Sequence, residues 1–184
     1  MKRLGYQADE MGEWKQIARR SWLELLAIML TIGTTLLVFP GVIYIKGKPL
    51  IVPSRPDWGV FVMNATYAVS DVSGRLLGRL RSSYSRSLLT VGIVLKVVIT
   101  SFAYVTAFSE NSSFFAQPSF IIMNLFAMGI LNGFMMVAST KSVVERLPSV
   151  DRDKGGKMIA FVINTTLLIS SLSQLAIYFL VFQK

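Results

Sequence analysis

The chain has no cysteine and no histidine among its 184 residues. Without cysteine there is no disulfide framework and no thiolate-ligated metal site. Without histidine the usual general base and the usual nitrogen ligand are both missing. Hydrolytic and metal chemistry are poorly supplied, and the sequence reads as no enzyme, with no cofactor and no metal. Charge is also scarce, at 16% of residues, against about 25% in an ordinary soluble domain. Apolar residues are in surplus at 53%, and the mean hydropathy is +0.55.

The surplus is gathered into runs. Leu25 to Ile45, Asn111 to Thr140 and Met158 to Gln183 carry no charge. Each is long enough to cross a hydrocarbon core about 30 Å thick at about 1.5 Å per residue. Two further segments are apolar but interrupted. Trp58 to Leu80 contains Asp71, Arg75 and Arg79, and Ser87 to Phe108 contains Lys96. The expected fold is therefore an all-α integral membrane protein, a bundle of about five transmembrane helices over 22–44, 58–80, 87–108, 120–140 and 158–182. Residues 1–21 form a lead in front of it. The first run is longer than the roughly 7–15 apolar residues of a signal peptide, so it reads as a span.

A net charge of +9 would suit nucleic acid, but its placement argues for topology. Lys2, Arg3, Lys15, Arg19 and Arg20 precede the first span. Arg75, Arg79, Arg81 and Arg86 surround the second loop. Lys141, Arg146, Arg152, Lys154 and Lys157 fill the fourth. The alternate connections hold only Lys46, Lys48 and Arg55, and Lys184 ends the chain. Five helices in series put the two groups on opposite sides. The positive-inside rule then places the N-terminus in the cytoplasm and the C-terminus outside, in the plasma membrane or an intracellular one. No nucleic-acid partner is expected; the lipid bilayer is.

The connections read as short. Pro49, Pro53 and Pro56 predict an extended, non-helical outer loop over Lys46 to Asp57. Asn111-Ser112-Ser113 is an N-glycosylation sequon in a loop that faces outward. The sequons at Asn64 and Asn164 fall within helices and should be inert.

Charges inside the spans carry the most information, because each costs roughly 2.5–3.5 kcal/mol to insert. Asp71 and Arg75 share a helix face with the acid first, the better order for a pair. Gly74 between them removes bulk and opens the way to another helix or a ligand. A carboxylate accepting from hydroxyls beside a guanidinium donating in a fixed fork suits a polyhydroxylated, uncharged solute. An internal salt bridge, with Arg75 snorkelling to the near face, explains the same residues. Lys96 sits too deep to snorkel. A partner carboxylate is its cheapest solution, and Asp71 is the only acid deep in a span, Glu24 lying at a membrane edge. Lys96 then reads either as a lining cation or as a structural one. Asn132 and the other uncharged polar residues of the spans read as inter-helix hydrogen-bonding groups.

Taken in order, these motifs resemble the C-terminal half of the equilibrative nucleoside transporter family, helices seven to eleven. Thr31-Ile32-Gly33-Thr34-Thr35-Leu36-Leu37-Val38-Phe39-Pro40 resembles the seventh helix, which ends in a similar Phe-Pro. Asp71-Val72-Ser73-Gly74-Arg75 resembles the Asp-x-x-Gly-Arg of the eighth. Lys96 falls where the ninth carries an arginine. Asn132-Gly133-Phe134 resembles the Asn-Gly-aromatic of the tenth, and Gly155-Gly156-Lys157-Met158-Ile159-Ala160-Phe161 the opening of the eleventh. The resemblance covers roughly 17–182. It implies half of a major-facilitator-like transporter that carries nucleosides, or nucleobases, by facilitated diffusion. It implies that Asp71 and Arg75 contact the permeant around its sugar and that Phe39 helps line the cavity.

The chain departs from that pattern at Lys96, at Gly155 in place of alanine, and in a last helix carrying serines where glycines are usual. The family's first six helices are also missing from it. Such carriers bind between two halves, so a missing N-terminal helix bundle or a homo-oligomer is an expected partner. The competing expectation is a non-transporting membrane protein that associates with or regulates a full-length transporter.

Overall fold

A computed structural model describes residues 14–177 and Phe179, with the side chains of 45 and 46 left out of that description. The expectations for residues 1–13, for the remainder of the last helix and for Lys184 lie outside the described residues. Six helices account for most of the described residues. They are α1 (Trp22–Val38), α2 (Gly41–Ile51), α3 (Pro56–Leu80), α4 (Arg86–Phe108), α5 (Pro118–Arg146) and α6 (Arg152–Ile177). Single 3-10 turns occupy Phe114–Ala116 and Ser149–Asp151, and the described residues include no strand.

Local chemistry sets these boundaries. Pro56 and Pro118 stand in the first turns of α3 and α5, where a missing N–H costs nothing. Asp57 opens α3 and Arg79 closes it, each matching the helix dipole. Ser85 caps α4, its side chain accepting from the Leu88 N–H at 3.3 Å.

Four stretches are long and apolar enough to cross a membrane: Trp22–Tyr44, Arg86–Phe108, Pro118–Arg146 and Ser149–Ile177. The expected span over 58–80 corresponds to α3, which has 25 residues and so reaches about 37 Å. Its length suffices, but its polar and charged residues make it less apolar than the four.

The first span keeps its expected bounds with a break inside it, and two loop expectations need correction. The first span breaks at Phe39-Pro40, a cis peptide, and resumes as α2. The outer loop expected to be extended over 46–57 is helical through Ile51. Pro49 lies in the last turn of α2, where it removes a single backbone bond. The hydrophilic loop expected over 141–157 is mostly helix, since α5 runs to Arg146 and α6 starts at Arg152.

The lead also joins the bundle. Residues 14–20 are helical, and Ile17 is buried in a cluster with Leu25, Ile28, Val143, Leu147 and Ile159. A second cluster holds Val38, Ile43, Met63, Ile121, Leu125 and Met128, and a third holds Ala27, Tyr84, Leu89, Met135 and Ala138. Outside these cores α4 and α6 expose broad apolar faces, including Val91, Val94, Val98 and Phe102 on α4, and Phe161, Leu168 and Leu172 on α6. Apolar surface on this scale is rare on water-soluble monomers.

The two ends differ in chemistry. At one, Arg86 donates to the Arg20 carbonyl (3.0 Å), Lys141 to the Arg81 carbonyl (2.8 Å) and Arg146 to the Tyr84 carbonyl (3.4 Å). The basic segments singled out in sequence thus meet. Tyr84 tucks beneath them, its hydroxyl donating to the Gly78 carbonyl, and burial raises its phenol above the ordinary range. At the other end Phe102, Phe114, Phe115 and Phe120 pack ring against ring, beside the exposed sequon at Asn111.

Candidate functional site

Helical spacing puts Tyr67, Asp71 and Arg75 in one row along α3. What faces that row is decided by glycine. A Cβ at Gly74 would run into the Ile130 carbonyl, and one at Gly133 into the Asp71 carbonyl. Only hydrogen at both positions lets α3 and α5 approach backbone to backbone, the small-residue contact usual between apolar helices. Of the two roles open to Gly74, it serves the approach of a helix.

That approach carries Asn132 to Asp71. The Asn132 Nδ2 donates to Asp71 Oδ1 at 2.8 Å, and Arg75 Nε donates to Asp71 Oδ2 at 2.8 Å. Asp71 is therefore held at both oxygens, its side chain 13% exposed while that of Arg75 is 49% exposed.

Lys96 enters from α4 and is 1% exposed. Its ammonium donates to Thr35 Oγ1 at 2.7 Å, and to the Met128 carbonyl and Asn132 Oδ1 at 3.4 Å. The carboxylate partner expected from sequence is not in direct contact. Asn132 stands between, bonded to Lys96 on one side and to Asp71 on the other. The reason is steric, since the α3–α5 approach places the Asn132 side chain in the gap. Thr35, from α1, completes the group by donating to the Thr31 carbonyl (2.8 Å) or to Asn132 Oδ1 (2.9 Å).

Beside this group lies a cavity of about 280 Å³. It is walled by Ile32, Thr35 and Leu36 of α1, Tyr67 and Arg75 of α3, Asn132 and Met136 of α5, and Ile163 and Leu167 of α6. Its walls are chiefly apolar, with a guanidinium, an amide and two hydroxyls. Phe39 stands behind it, with its ring stacked on Tyr67 at 4.5 Å and edge-on to Tyr44 at 5.4 Å.

Above the cavity the break in the first span is chemically closed. Pro40 has no N–H for the Leu36 carbonyl. The Gln174 amide of α6, with its nitrogen turned to that oxygen (3.2 Å), supplies the donor, and its oxygen takes the Gly41 N–H at 3.0 Å. Tyr104 donates to the Leu37 carbonyl at 3.4 Å.

A second charged group lies nearer the basic end. Glu24 is fully buried, with Arg146 Nε at 2.7 Å and Arg86 Nε at 3.7 Å from Oε1. Neither carboxylate oxygen has a well-aligned hydrogen bond, so charge attraction holds the group. Sequence spacing gives no sign of it, because the three residues come from α1, α4 and α5. Thr35 is equally hidden. Tyr67 could have been found, four residues before Asp71 on the same face. No cluster of three or more His, Cys, Asp or Glu residues able to hold a metal occurs among the described residues.

No family model, curated protein or solved structure matches this chain.

Proposed function

We propose that this chain is a multi-pass membrane protein and the half of a nucleoside carrier that holds the sugar-facing residues. Permeant crosses by facilitated diffusion, with nucleobases as the neighbouring class. The observation that carries this reading is the Arg75–Asp71–Asn132 group at the edge of an apolar cavity. A guanidinium with donors to spare, set beside a carboxylate acceptor, matches the vicinal hydroxyls of a ribose, while the apolar wall suits a flat base. The order of motifs resembling equilibrative nucleoside transporters supports the same class. The four long apolar helices and the exposed apolar faces of α4 and α6 support the membrane setting.

The cavity's 280 Å³ falls at the lower edge of the roughly 300–1,000 Å³ usual for small-molecule sites. That is what one wall of a two-walled site leaves. The second wall comes from another helix bundle or from a second copy of the chain. The small cavity also favours the competing reading, a non-transporting partner of a full-length carrier.

Uptake of labelled adenosine and uridine by cells expressing the chain separates the two, with Asp71→Asn alongside. Uptake that Asp71→Asn abolishes supports the carrier. No uptake from a chain shown to be membrane-inserted removes autonomous transport and leaves the partner role.

A further inference from the structure

We infer that Lys96 is a positioning residue for the site at Asp71 and Arg75, and that it acts through the Asn132 amide. This rests on the proposed role of that site. Its structural core is independent of what the site carries.

A buried ammonium at 1% exposure needs acceptors. Of the three it has, one belongs to a side chain that also touches Asp71. The amide of Asn132 has a direction. Its oxygen faces the Lys96 ammonium, which offers only donors, and its nitrogen faces the Asp71 carboxylate, which offers only acceptors. Turning the amide over would set NH2 against NH3+ and oxygen against oxygen. The charge on Lys96 therefore joins the Thr35 hydroxyl in fixing which way Asn132 points, and Asn132 fixes Asp71 Oδ1. Arg75 fixes the other oxygen. With both oxygens pinned, the carboxylate cannot swing away from the guanidinium that lines the cavity.

The group also balances charge. A single carboxylate lies between two cations, one in contact and one across an amide. Loss of Lys96 leaves Asp71 with Arg75 alone. It leaves the Asn132 oxygen with the Thr35 hydroxyl as its remaining donor and loosens the hold on the Asp71 carboxylate.

A double-mutant cycle on thermal unfolding of the purified chain in detergent tests the relay. Lys96→Met and Asp71→Asn are measured singly and together, first with Asn132 present and then with Asn132→Leu. With Asn132 present the double variant should lose less than the sum of the singles, by roughly 2–4 °C. With Asn132→Leu the coupling should shrink to what direct charge attraction across the gap leaves. Additivity in both settings overturns the relay, as does unchanged coupling after Asn132→Leu. Should Lys96→Met fail to fold, Lys96→Gln keeps a donor and drops the charge, and it must show the same loss of coupling.

In uptake, Lys96→Arg should retain transport. Lys96→Gln should raise KM several-fold, with Vmax changing less. A fall in Vmax at unchanged KM would contradict a positioning role. If the parent chain shows no uptake, the carrier reading fails while the unfolding cycle still decides the relay.

Discussion

Glu24 shows how a residue's worth depends on what remains when its partner goes. Its carboxylate has no exposed surface, whereas the Arg146 and Arg86 side chains are 31% and 51% exposed. Arg146→Met strands a buried anion with one cation 3.7 Å away, and should cost about 3–5 kcal/mol. Glu24→Gln leaves two arginines that already reach the surface, and should cost about 1 kcal/mol. Thermal unfolding in detergent checks the order, at about 2–4 °C per kcal/mol for a chain of this size. A larger loss from Glu24→Gln would contradict it. In the sequence Glu24 reads as a membrane-edge acid, because nothing local announces arginines from two distant helices. Asp71 and Arg75 were legible as a pair because the helix period alone brings them together.

Helix contacts are set by a few small or polar residues, and these yield sharper tests. Gly133→Ala forces α5 off the α3 backbone and should cost about 1–3 kcal/mol, drawing Asn132 away from Asp71 as it does so. Gly156, inside α6, has open space where a Cβ would go. There Gly→Ala should stabilise by about 0.5–1 kcal/mol. Melting points that move in the same direction for both variants would refute this account of the α3–α5 approach. Gln174→Leu strips the bonds from the Leu36 carbonyl and the Gly41 N–H, and should cost about 1–3 kcal/mol. Cleavage near Pro40 by a protease should rise with it. The long apolar helices were plain in the sequence because uncharged runs of that length have few other uses. The α2 helix was not, since Pro49, Pro53 and Pro56 read as an extended loop. Only tertiary packing of Val42 and Ile43 against the bundle, where both are buried, makes a short helix containing proline worth forming. The Asn132 link was hidden for a related reason: it depends on how closely two helices approach, which no spacing within one helix encodes.

For the whole molecule, the absence of cysteine makes the proposed membrane arrangement directly measurable. Single cysteines at Ser54, Ser83 and Ser112, all exposed in connections, report on α3 and α4 separately. In intact cells an impermeant maleimide should label the first and third, and reach Ser83→Cys only after permeabilisation. Labelling of Ser54→Cys and Ser83→Cys from the same side would mean that α3 does not cross. The sorting of basic residues was legible at this scale, and in the fold their segments meet at one end. In the proposed membrane arrangement the Glu24 group also bears on how the chain is made. Glu24 leaves the ribosome first, and Arg86 and Arg146 follow about 60 and 120 residues later, roughly 3–12 and 6–24 s at about 5–20 residues per second. During that interval the acid has neither of its final partners. The first helix should therefore stay near the edge of the insertion channel, or lean on a membrane chaperone, until the later hairpin arrives. Biosynthetic intermediates arrested before Arg146 should crosslink to the insertion machinery far more than the finished chain does, and Glu24→Gln should release them early.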